Sequence, residues 1–176
     1  MNNIETRIVN TLMNNYAFID GQNFFESTKR FHWHFSKRKF FNYLLTQYKV
    51  KKILYFVGYR KEHKNTIYKR LREQGLCLCF KKRIEYKDRE GNWKTKSNVD
   101  GKLIAKLLIK FPEYDKAIIV AGDADYYFLA QYLIRQKKLL KIYMPSKSKG
   151  SSIYDNRYVK PYISYISLMR DLFEHK

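Results

Sequence analysis

Glycine and proline are scarce, with seven and three positions in 176 residues. That excludes a collagen-like or low-complexity chain, and an apolar content of 45% excludes a disordered basic tail. Only two cysteines occur, Cys77 and Cys79, two apart in LCLCF. Residues i and i+2 of a strand share a face, so the pair reads as small apolar packing. A disulfide between them is geometrically unfavourable, and zinc would need further ligands at suitable spacing. No apolar run reaches the roughly 18–20 residues of a membrane span. The opening MNNIETRIVNTLMNNY also lacks the continuous apolar stretch of a signal peptide. The expected setting is cytoplasmic, with no membrane partner. The length suits one domain over residues 1–176.

Acidic residues are the other shortage. Sixteen Asp+Glu face 36 Lys+Arg, a formal charge of +20. Such a surplus on a folded domain creates a strong positive field, for which a polyphosphate is the natural partner. The plain alternative is a solvated basic surface. The 16 Tyr and 12 Phe interleaved with the cations favour nucleic acid, because unpaired bases stack on rings in basic surroundings. Many of those rings must nevertheless be core. No residue pattern separates RNA from DNA, and the aromatic surplus is also compatible with a homodimer.

The patterning alternates strands and helices. YAFID (16–20), ILYFVG (53–58), LCLCF (76–80), AIIVAG (117–122) and Leu140–Met144 read as strands. Phe40, Phe41, Leu44, Leu45 and Tyr48 lie on one helical face, as do Leu103, Ile104, Leu107, Leu108 and Phe111, with Pro112 closing that helix. Residues 61–74 form a polar helix stopped by Gly75, and Phe128, Leu129, Tyr132 and Leu133 mark another. FFESTKRFHWHFSKRK reads as a connection, KKRIEYKDREGNWKTK as an exposed hairpin or loop, and about 161–173 as a final helix. The implied fold class is α/β: a three-layer α/β/α, Rossmann-like domain around a mainly parallel sheet of about five strands.

Ligands of an open parallel sheet bind beyond the carboxyl ends of its strands, where strand order reverses. Asp20 ends the first strand, Asp123 and Asp125 follow the fourth, and Asp100 opens the helix before it. Four carboxylates therefore share one rim, and in strand order 3-2-1-4-5 they converge. Each has a plain structural role available. Asp100 stands at capping-box spacing from Ser97, Asp123 or Asp125 can cap the next helix, and Asp20-Gly21 can be a turn. Four coinciding are harder to dismiss, because crowded carboxylates repel unless a cation compensates, and an all-oxygen site suits Mg²⁺ or Mn²⁺.

FIDGQN (18–23), KSNVDGKLIAKLL (96–108) and VAGDADYYFLA (120–130) resemble, in order, the three signature blocks of the NYN domain family, which includes LabA-like proteins and belongs to the PIN-like ribonuclease superfamily. The blocks fall within residues 16–145. Tyr126 stands where Phe is commoner, and Ser97-Asn98 where a Gly neighbourhood is usual. The resemblance implies a PIN-like sheet of order 3-2-1-4-5 and metal-dependent cleavage of RNA phosphodiesters. It implies Asp20, Asp100, Asp123 and Asp125 as metal-binding catalytic acids, with Asn23 as a polar companion near metal or substrate phosphate.

On that reading Mg²⁺ or Mn²⁺ promotes in-line displacement at phosphorus, with Asp20 and Asp123 as direct ligands and Asp100 and Asp125 acting through water. Lys81, Lys82, Arg83, Lys87, Arg89, Lys94 and Lys96 form the basic loop that would hold RNA; Lys82, Arg83, Lys94 and Lys96 are the substrate-binding candidates. Trp33 and Trp93 are candidates for base stacking or for packing. His32 and His34 have no partner at metal-ligand spacing. The competing readings are a non-catalytic nucleic-acid-binding module, a haloacid-dehalogenase-type phosphatase and a Toprim-like fold. The phosphatase needs a second Asp where Gln22 stands, and Toprim needs Glu where Asp20 stands.

Overall fold

The structure, a computed structural model, describes residues 13–82, 84–96, 99–147 and 152–175, and of 94–96 the backbone alone. Strand β1 (Asn15–Asp20) runs directly into helix α1 (Gly21–Thr28), followed by α2 (Lys37–Gln47), β2 (Val50–Gly58), α3 (Ile67–Glu73) and β3 (Leu76–Lys81). A hairpin, β4 (Ile84–Lys87) and β5 (Trp93–Lys96), precedes α4 (Asp100–Ile109) and β6 (Ala117–Val120). Then come α5 (Tyr127–Arg135), β7 (Leu139–Met144), β8 (Ile163–Tyr165) and the single turn α6 (Arg170–Phe173). The main sheet has six strands in the order β3-β2-β1-β6-β7-β8, every neighbouring pair parallel. Omitting the hairpin, that is the expected 3-2-1-4-5 order with one more edge strand.

Alternation along the strands builds a core on each face of the sheet. In β1, Tyr16 and Phe18 join Leu103 and Leu107 of α4 and Leu129, Ala130 and Leu133 of α5. Ala17 and Ile19 face the other way, onto Phe24 of α1, Phe40, Phe41 and Leu44 of α2 and Phe173. The three layers follow from this. Helix stripes are narrower than the sequence pattern implies, since Leu45, Leu108 and Phe128 are exposed.

Three expectations fail, one of them only in its bounds: residues 61–74 are not one helix, because Lys61–His63 form a separate turn and α3 spans Ile67–Glu73. The segment after Asp20 is not a bare connection: its first eight residues form α1, which Asp20 caps. The final helix over 161–173 does not form. Ile163–Tyr165 instead pairs with Ile142–Met144 of β7, and helical structure resumes only in short turns. An exposed edge of β7 would leave a row of backbone groups unpaired, and an extended segment satisfies them as a helix cannot.

Candidate active site

The chain winds outward through β1, β2 and β3, then restarts at β6 on the other side of β1. The reversal point therefore lies between the carboxyl ends of β1 and β6, which pair through Ile19 and Val120. Every acid singled out in the sequence lies at or beside that point.

Asp20 is buried at 5% exposure, where β1 turns into α1. Its Oδ1 accepts the backbone N–H groups of Gln22 (3.1 Å) and Asn23 (3.0 Å). The turn needs glycine at position 21, because a Cβ there would stand 2.6 Å from the carbonyl oxygen of Phe56 and overlap the Tyr55 ring. The Tyr55 hydroxyl donates to the Gly21 carbonyl (3.1 Å), fixing the junction against β2. On the β6 side, Gly122 N–H donates to Asn23 Oδ1 (3.2 Å), so Asn23 straps the two halves of the sheet together across the reversal point.

Asp123 opens a one-turn helix, Ala124–Tyr126, and its Oδ1 accepts the N–H of Asp125 (3.2 Å). The carbonyl of Asp123 accepts the buried Tyr154 hydroxyl (2.7 Å). Asp100 is the first residue of α4, with Val99 rather than a serine at the capping position. Among the described residues, Asp100, Asp123 and Asp125 each offer a carboxylate oxygen within 4.8 Å of the others.

Asp20 joins this group through Tyr126, whose hydroxyl lies 2.5 Å from Asp100 Oδ1 and 3.2 Å from Asp20 Oδ2. One hydroxyl has one proton and cannot donate fully to two ionised carboxylates at once. Burial first, and with it the nearby Asp100 charge, raises the Asp20 carboxyl to about 6, against the opposing bond from Asn23 N–H. The Tyr126 hydroxyl is pushed far above the usual tyrosine range, by burial first and then by the two carboxylates, so it stays a donor. A set of carboxylates offering hard oxygen donors fits Mg²⁺ or Mn²⁺ better than a soft metal.

The family model of the NYN domain matches residues 16–160. The chain belongs to the NYN domain family. NYN domains are members of the PIN-like superfamily, and this one has the PIN-like nuclease fold. A protein of unknown function from Vibrio parahaemolyticus, known from its crystal structure, superposes with a TM-score of 0.63 at 21% identity, over 81% of this chain and 88% of that one, and it corroborates the fold. No curated protein matches the chain in sequence.

Of the remaining sequence candidates, Lys82 is exposed just past β3. Lys94 and Lys96 lie on β5, where only the backbone is described, and Arg83 lies outside the described residues. The hairpin that carries Lys94 and Lys96 lies between the carboxyl end of β3 and the start of α4 in the chain, two ends that belong to the rim of the acids. Sequence reasoning missed Tyr126 as a bridge between two acids. Its only signal was a hydroxyl standing where the family usually has phenylalanine.

Proposed function

We propose that this NYN domain is a divalent-metal-dependent ribonuclease. The observation that carries the reading is the convergence of Asp100, Asp123 and Asp125, with Asp20 bonded behind them through Tyr126, at the reversal point of a PIN-like sheet.

Mg²⁺ or Mn²⁺, when bound, supplies positive charge at the scissile phosphate and a water of lowered pKa. Asp100, Asp123 and Asp125 hold the ion. Asp125, exposed at the mouth, also orients the attacking water. Asp20 is deeper than a direct ligand needs to be, and its bonds from Gln22, Asn23 and Tyr126 suit it to fix Tyr126 and, through it, Asp100. This division of labour differs from the one expected from sequence, which had Asp20 as a direct ligand. Asn23 holds the two strand ends at a set separation. Lys82, Arg83, Lys94 and Lys96 supply flanking phosphate contacts, which makes substrate binding salt-sensitive.

The test is cleavage of an end-labelled single-stranded RNA with Mn²⁺, with Mg²⁺ and with EDTA, comparing wild type with Asp20→Asn and Asp123→Asn. Metal-dependent cutting that falls by about 100-fold or more in both variants is expected. A second reading has its own support: Asp20 and Asp123 each cap a helix, so two of the four acids already do structural work. If none of the three proteins cuts while all bind RNA in a salt-sensitive way, the domain is a binding module.

A further inference from the structure

Beside the acids lies a cleft that the nuclease reading leaves unused. It has a volume of about 740 Å³, within the range of small-molecule and nucleotide sites. Asn23 and Gly122 form its inner wall, and Gly122 is the residue before Asp123. The cleft therefore borders the backbone that leads into Asp123. Its outer wall is the chain between α1 and α2, including Arg30, Phe31 and Trp33, and Arg170 lines the far side.

The chemistry of this wall is specific. Phe31 and Trp33 are stacked, with ring centroids 5.1 Å apart and planes 25° from parallel, and both are only half-buried. A flat ring entering the cleft meets this aromatic pair in its wall. Arg30 is exposed and, among the described residues, has no ion-pair partner. Arg170 is held in a fork by Glu174, with Nε and Nη2 at 2.9 and 2.8 Å from its two oxygens. Its position is thus set while most of its charge is spent, so Arg30 supplies the unneutralised cation. The bland account is that Phe31 and Trp33 merely roof the core, since both pack against it. That explains their apolar faces but not an open cavity, a stacked pair lining it and a free guanidinium at its lip.

We propose that this cleft is a base-binding subsite for one unpaired nucleotide of a single-stranded substrate, the base stacked on the Phe31–Trp33 pair and an adjoining phosphate on Arg30. The proposal takes its ligand class from the nuclease reading and adds where the strand leaves the acids. Ring stacking in a basic groove binds any exposed base and admits none that is paired in a duplex. The domain would accordingly engage loops and single strands with little preference for base identity.

The two tryptophans make this measurable without catalysis. In a Trp93→Phe background, excited beyond the tyrosine absorption, only Trp33 emits, and in EDTA metal-dependent cutting is suppressed. Titration with a short oligouridylate should quench that emission saturably, while a hairpin-free duplex RNA of the same length should not. Arg30→Ala, at an exposed position, should weaken the same titration about five- to tenfold at low salt and flatten its salt dependence. An oligothymidylate arm distinguishes the strand type: equal quenching assigns any single strand, weaker quenching assigns RNA, and either supports the subsite. Emission unchanged while fluorescence anisotropy of a labelled oligomer shows binding overturns it, as does equal quenching by the duplex or an Arg30→Ala titration identical to wild type. Failure of the nuclease reading would instead appear as absent cleavage, whatever Trp33 reports.

Discussion

Tyr126 places one hydroxyl between the carboxylates of Asp20 and Asp100, and its ring is buried. Tyr126→Phe should keep the packing and delete only the donor. It leaves Asp20 Oδ2 buried without that partner, so metal-free stability should fall by about 1–3 kcal/mol in urea denaturation. A variant as stable as wild type would mean that the hydroxyl does not hold the two acids. Lys37 is a residue whose charge opposes folding. It sits at the start of α2 in the sequence Lys37-Arg38-Lys39, against the positive end of the helix dipole. Its ammonium shares the Phe25 ring with Lys29, each 3.9 Å from the centroid. Burial, then the Lys29 charge, lowers it from the usual 10.5 to about 8. Below pH 8 both folded and unfolded chains carry this proton, and the folded state bears the full penalty. Between 8 and 10.5 the folded chain sheds it first, so the unfolded state holds more protons and stability rises with pH. Lys37→Met should therefore be the more stable protein at pH 7, with the advantage shrinking toward pH 10. Urea midpoints of the pair measured across that range would settle it, and a constant or widening gap would contradict the burial argument.

At the scale of elements, the strands were legible because both faces of a parallel sheet are buried, so their apolar runs are nearly unbroken. The sheet order was legible through the family resemblance, whose first and third blocks straddle the ends of β1 and β6. Two elements were not. The α1 helix follows β1 without a connecting residue, and its cap is the very Asp20 that a functional reading claims for chemistry. In β8, three residues of helix-like sequence are extended because β7 offers an edge to pair with, which is a tertiary reason and invisible locally. The junction of β1 and α1 is where local structure and site meet. Gly21→Ala would push a Cβ against the Phe56 carbonyl and the Tyr55 ring, and backbone on that side cannot give way cheaply. The helix has to shift instead, taking Asp20 and Asn23 with it. A stability loss of about 1–3 kcal/mol is expected, together with loss of cutting. A variant that keeps wild-type stability and cleavage would show that the junction tolerates a shift, and would detach the site from this turn.

For the whole molecule, the decisive contrast is a small acidic centre in a chain of net charge +20. The overall field draws polyanions in and keeps cations out, so any affinity for Mn²⁺ must come from the carboxylates at short range. Those carboxylates were legible in the sequence as residues on one rim, but their sharing of Tyr126 was not, because it depends on how α4 and the turn after β6 pack. Their crowding gives a linkage that needs no RNA. An ion bound only by the folded state stabilises it by mass action, by about 2.7 kcal/mol at one hundred times Kd. In a domain of this size that raises Tm by about 5–10 °C. Asp123→Asn should shrink the Mn²⁺ shift markedly. Because asparagine caps a helix about as well as aspartate, the variant keeps the bond to Asp125 N–H while losing one charge from the cluster. Its metal-free Tm should therefore match or exceed that of wild type. Differential scanning calorimetry of the two proteins, each with EDTA and with Mn²⁺, separates the possibilities. A wild type that Mn²⁺ does not stabilise, or a metal-free Asp123→Asn less stable than wild type, would mean that the acids cap helices rather than gather a cation.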